Sequence, residues 1–210
     1  MVRIVKKAEV RRLEIVEMAK SLFQTKGFDE TSMQDVIEQL GIAKGTIYHY
    51  FKSKEELLEA VVEYIVEEEI KQKRTLMSEI SGTALERFRV LVERGSTADH
   101  NEEILGHLHK AGNMGMHIRL LAATLTKEAG LYAELIQQGC AEGIFQTDAP
   151  LECAEFILSA VQFLTDMGVY PWTQEQLFRR VMAFPRLIEA QLKAPPGSFQ
   201  FLFQLPPNEG

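Results

Sequence analysis

Residues 31–54 read Thr31-Ser32-Met33-Gln34-Asp35-Val36-Ile37-Glu38-Gln39-Leu40-Gly41-Ile42-Ala43-Lys44-Gly45-Thr46-Ile47-Tyr48-His49-Tyr50-Phe51-Lys52-Ser53-Lys54. Two short segments with helical apolar spacing flank Gly41-Ile42-Ala43. Thr31 with Gln34 has the capping-box spacing, in which a hydroxyl and an amide side chain each satisfy one orphan backbone donor. This opens a helix over 31–40, and a second spans 44–50. At about 100° per residue, Ile47 and Tyr50 fall on one side of the second helix. Lys44, Gly45, Tyr48 and His49 fall on the other. The first pair can dock on Val36, Ile37 and Leu40, which turns the second set outward. Two short helices around a glycine-containing turn, braced by a longer helix before them, form a DNA-reading helix-turn-helix. A tight helical hairpin inside a bundle has the same spacing.

Helical punctuation continues on both sides. A helix over 9–26 carries Ile15, Met18, Ala19, Leu22 and Phe23 on one face, and Gly27 suits the left-handed residue past its end. Ser53 with Glu56 is a second capping box, opening a long helix to about residue 80 lined by Leu57, Leu58, Val61 and Ile65. Further helices are expected over 83–94, 101–111, 114–140, 149–168 and 173–193. Asp148 is the expected cap of the 149–168 helix, with Pro150 tolerated in its first turn. Thr173 with Gln176 caps the last, and Pro185 should kink or split it. The first 149 residues hold no proline, and no alternating β-branched run is visible. The fold class is therefore all-α. The tail Phe199-Gln200-Phe201-Leu202-Phe203 should fold back on the body, since exposed phenylalanines are a liability.

The chain has 210 residues and a net charge of −7. That length buries a real core, roughly 70% of the unfolded surface. Residues 1–56 hold 10 basic and 9 acidic side chains, whereas the rest hold 13 and 21. Arg3, Lys6, Lys7, Arg11 and Arg12 cluster at the amino terminus. This layout suits a small nucleic-acid head on a body that repels polyanions. Two cysteines, Cys140 and Cys153, exclude a disulfide scaffold and a thiolate zinc cage. No leader-like apolar stretch opens the chain, and no segment reaches the ~20 apolar residues of a membrane span. The expected compartment is the cytoplasm, with no membrane partner.

The stretch Gly27-Phe28-Asp29-Glu30-Thr31-Ser32-Met33, followed by Leu40 to Leu57, closely resembles the TetR family of transcriptional regulators over about residues 9–69. The resemblance implies an amino-terminal three-helix head (9–69, reading motif 32–51). It also implies a larger helical domain (70–210) that binds a small inducer and dimerises through its last two long helices. Lys44, Gly45, Thr46, Tyr48 and His49 would meet the major groove. Tyr48, Tyr50 and Lys54 would hold phosphates, with Gln34 as an extra base contact. Ala43 departs from the family's frequent capping Ser or Thr, at a cost of about 1 kcal/mol. The implied partners are a double-stranded palindromic operator, a second copy of the chain and a small-molecule inducer. The implied activity is repression, with activation left open.

Outside the head, His100, His107, His109 and His117 invite a metal-sensing reading, but His107 and His109 sit two apart and point to opposed sides of a helix. No metal and no cofactor is expected. The two cysteines as a redox pair stand against ordinary buried thiols. His107, Met114, His117 and Phe163 are the expected ligand-pocket residues. Leu151 to Met167 and Leu177 to Leu192 are apolar on more than one face, which suits one face in the domain and one across a dimer. Phe156, Val161, Val181 and Leu187 are placed at that interface. There is no phosphate loop, nucleophile elbow, HExxH or paired Cys-x-x-Cys, so no enzyme is expected. The competing class is a helical adaptor that keeps the head fold without operator binding.

Overall fold

The computed structural model describes residues 8–95 and 114–203, and these are helical, without a strand. The helix expected over 101–111, the basic residues Arg3, Lys6 and Lys7, and His100, His107 and His109 lie outside the described residues. Two compact units form. Among the described residues, one joins 8–68 with 114–123, and the other joins 69–95 with 124–203. Residues 114–123 of the long helix pack with the first unit.

The first unit is built on α1 (Ala8–Thr25), α2 (Met33–Leu40), α3 (Lys44–Tyr50) and the start of α4 (Lys54–Glu79). Ile15, Val16, Ala19 and Phe23 of α1 meet Val36, Ile47, Phe51, Leu57 and Val61 in one core. Burying each of the larger side chains is worth about 1.5–3 kcal/mol. Gly27 takes φ 103 after α1. Gly41 takes φ 60 after α2, and its amide donates back to Glu38 and Ile37. A side chain at that left-handed position would strain the turn that sets α3 against α2.

The cap of α2 differs from expectation by one residue. Ser32 is the cap and Asp35 its partner: the Ser32 hydroxyl accepts from the Asp35 amide, and the carboxylate accepts from the Ser32 amide at 2.6 Å. Thr31 is fully buried, and its hydroxyl donates to the Gly27 carbonyl at 2.6 Å. It closes the α1–α2 turn instead of capping. The bonds from Ser32, followed by Lys26, hold the Asp35 carboxyl well below the usual carboxylate range. At α4 the Ser53 hydroxyl accepts from the Glu56 amide, but the Glu56 carboxylate reaches the Lys52 amide, one residue before the box position.

The second unit continues α4 and adds α5 (Ala84–Gly95), α6 (Met114–Ala141, from Thr124 on), α7 (Pro150–Thr165), α8 (Gln174–Val181) and α9 (Phe184–Leu192). Asp148 does not cap α7. Its cap residue is Ala149, whose amide donates to Thr147 Oγ1 at 3.1 Å, and Pro150 sits in the first turn as expected. Asp166 stops α7 early, because its carboxylate accepts the Gly168 and Val169 amides at 2.8 and 3.0 Å. The Thr173–Gln176 box forms. Pro185 splits the last helix into α8 and α9, since it has no N–H for the Val181 carbonyl and its ring crowds that carbonyl, while its own place in the first turn of α9 is tolerated.

The tail returns to the body through a short 3-10 turn, Gln200–Phe203. Phe199 and Phe201 are buried. The Phe199 ring stacks on Phe145 at 5.8 Å and meets Phe88 edge-on at 5.6 Å. Its amide donates to the buried Glu189 carboxylate at 3.1 Å. The free thiols of Cys140 and Cys153 flank Thr147, on its carbonyl and its hydroxyl respectively.

Candidate nucleic-acid interface

The α3 face develops from one buried residue. Ile47 is fully buried under the helix, and Tyr50 packs half-buried on the same core. Lys44, Gly45, Tyr48 and His49 are exposed, with Thr46 half-buried beside them. The sequence expectation for this helix and the observed exposure thus agree residue by residue. Ala43 precedes α3 without a side-chain cap. The Lys44 ammonium lies 5.7 Å from the Tyr48 ring. Gln34, exposed on α2, donates to Glu38 at 2.9 Å.

Lys54 has a structural task that its sequence context did not reveal. Its ammonium donates to the Phe28 and Asp29 carbonyls at 3.0 and 3.2 Å and lies 4.3 Å from the Phe28 ring. Two of its three donors thus brace the α1–α2 turn against α4, leaving one for an outside acceptor. Two further basic residues border α3. Lys52 donates to the Tyr48 carbonyl at 2.8 Å, and the Arg12 guanidinium sits 5.2 Å from the Phe51 ring. Arg12 was legible only as part of a basic run; its place beside the end of α3 comes from the packing of α1.

Gly45 is informative because the chain does not need it. A Cβ there would meet nothing within 4 Å, and its φ is an ordinary one. Gly in a helix costs up to about 1 kcal/mol relative to Ala. Glycine at an exposed, roomy helical position makes sense where another molecule's backbone must come close. Gly45→Ala is therefore expected to raise the melting temperature while weakening DNA binding several-fold. Thermal melts and gel shifts on one preparation check both, and unchanged DNA affinity would remove Gly45 from the interface.

The second unit holds a cavity of about 190 Å³. Lys73 of α4, Tyr132 of α6 and Phe199 of the tail line it, together with apolar side chains of α5, α7 and α9. The expected pocket residues are not brought together there. Met114 (exposed) and His117 (buried) belong to the first unit, Phe163 is not in the lining, and His107 is outside the described residues. Among the described residues no group of three His, Cys, Asp or Glu could hold a metal ion.

Of the residues placed at a dimer interface, two face inward. Val161 lines the cavity, and Val181 packs on the second core. Periodicity alone could not choose a face on helices apolar nearly all round. Phe156 and Leu187 do face solvent, at 65% and 61% exposure, joined by Phe178 at 65% and Met182 at 47%. α8 and α9 both pack against α7. No described helix is long and apolar enough to cross a membrane.

A three-helix head that buries one side of a short second helix and presents basic, hydroxyl and aromatic groups on the other defines a helix-turn-helix DNA-binding regulator. Residues 15–61 match the family of bacterial regulatory proteins, tetR family, and residues 96–187 match the tetracyclin repressor-like C-terminal domain. The chain belongs to the TetR family of transcriptional regulators. It is 29% identical over 182 residues to the HTH-type transcriptional regulator YfiR of Bacillus subtilis, covering 76% of this chain and 80% of that one. It is 23% identical over 154 residues to the HTH-type transcriptional repressor KstR2 of Mycobacterium tuberculosis, covering 71% and 76%. A solved TetR-family regulator from Pectobacterium atrosepticum superposes with a TM-score of 0.66 at 21% identity, covering 92% of this chain and all of the other. That last likeness supports the all-helical fold.

Proposed function

We propose that the chain is a homodimeric transcriptional repressor that reads a pseudo-palindromic operator and is released from it by a small-molecule inducer. The observation that carries the proposal is the α3 surface, with Ile47 buried and Lys44, Gly45, Tyr48 and His49 exposed on the opposite side. Lys44, His49 and Thr46 supply donors for base edges, and Gly45 lets the helix approach. Tyr48, Tyr50 and the remaining donor of Lys54 serve phosphates, which fix position without reading sequence. Gln34 reaches the groove edge from α2. Two copies place their α3 helices roughly 34–36 Å apart, one turn of DNA. The inducer occupies the second-unit cavity and acts by binding one state better than the other.

The decisive test is a gel shift with DNA from the protein's own promoter. Selective binding should weaken by about 10³-fold or more between 50 and 200 mM salt if six or more phosphates are held, because each contact releases counterions. Absence of selective binding at every salt concentration would favour the helical adaptor.

A further inference from the structure

Among the described residues, the cavity's lining has two side chains with polar atoms, Lys73 and Tyr132. Both offer donors. Lys73 donates one proton to Glu128, which is 4% exposed. That leaves two N–H groups on the ammonium. Tyr132 makes ring contact with Phe88, and its hydroxyl forms no hydrogen bond among the described residues. Burial, with the nearby Glu128 carboxylate adding to it, pushes the phenol up. It therefore stays an O–H donor at neutral pH.

The charge at this end of the cavity is already cancelled, since Glu128 answers Lys73. A ligand carboxylate would put a second anion beside Glu128 on one shared ammonium, and two carboxylates so placed cannot both stay ionised cheaply. A ligand amine would meet the Lys73 cation and bring no acceptor of matching strength. What fits is an uncharged acceptor oxygen on an apolar body.

We infer that the cavity takes a neutral apolar molecule bearing one carbonyl, such as a ketone or ester. The carbonyl oxygen accepts from Tyr132 and from the free donors of Lys73, and the apolar body lies among Phe88, Ile157 and Leu192. This rests on the reading of the cavity as the inducer site.

Methyl octanoate, octanoate and octylamine share an apolar chain and differ at the head, so they serve as probes. Isothermal titration of the full chain at pH 7 should rank the ester first, about tenfold or more ahead of octanoate, because burying an ion is costly. Tyr132→Phe removes only the donor. It should weaken the ester about five- to tenfold, the worth of one buried hydrogen bond, and leave octylamine unmoved. Octanoate binding as tightly as the ester overturns the inference. So does an ester affinity indifferent to Tyr132→Phe, and so does binding of none of the three. Gel shifts on the same preparations separate the two proposals. A protein that shifts its promoter yet prefers octanoate keeps the regulatory reading and loses this one. A protein that binds the ester and shifts no DNA does the reverse.

Discussion

Replacing Phe156 and Leu187 together by Asp should turn the protein into a folded monomer with operator affinity reduced by roughly two orders of magnitude or more, given tenfold per 1.4 kcal/mol. Both side chains are exposed in the single chain, at 65% and 61%. An aspartate at either position stays solvated there and leaves the protomer's own core untouched. Against a two-fold mate the same carboxylates would be buried without partners. Each would then cost several kcal/mol, and symmetry applies the cost twice. A lone protomer reads one half-site, so DNA affinity falls with the dimer. Light scattering measures the mass, circular dichroism confirms the helices, and a gel shift reads the affinity. A variant that remains dimeric and binds DNA normally places the interface elsewhere. Val161 and Val181 are poor sites for this experiment, because an aspartate there would enter the protomer's own interior.

Phe199→Ala should destabilise the second unit by about 3–5 kcal/mol, the range for truncating a buried phenylalanine. The ring is 2% exposed and contacts the rings of Phe88, Phe145 and Phe201. Little else can fill the space, because the surrounding aromatic rings are rigid. Such a loss is a large part of the 5–15 kcal/mol that holds a typical domain together. The single tryptophan, Trp172, lies in the same unit, so its fluorescence in a urea titration reports on that unit. A midpoint unchanged from wild type would mean that the tail is a loose cover, not part of the core.

The head was legible because its signals are local. One turn of arithmetic along Lys44–Tyr50 separates Ile47 from Tyr48 and His49, and the observed exposure follows it. Gly41 and the box spacings mark the ends. Even here the cap of α2 slipped by one. Thr31–Gln34 and Ser32–Asp35 have identical spacing, and only the burial of Thr31 against Gly27 decides between them. The second unit was less legible for a different reason. α7 is apolar nearly all round, so its pattern cannot say that Val161 turns inward while Phe156 turns out. The cavity draws on residues scattered from Lys73 to Leu202. The Lys73–Glu128 pair spans 55 positions, and no local rule joins residues so far apart.

The aromatic cluster around Phe199 also sets an order of events during synthesis. The buried apolar side chains of the head core come from residues 15–65, which leave the ribosome early. Phe199 and Phe201 are made well over a hundred positions after the head core, yet Phe88 and Phe145 pack on Phe199. Domains generally fold as units, the amino-terminal one first. For this chain the second unit cannot seal its interior until Phe199 has been made, so its nascent form passes through a stage with open aromatic surface. Chaperone contact should concentrate in that interval.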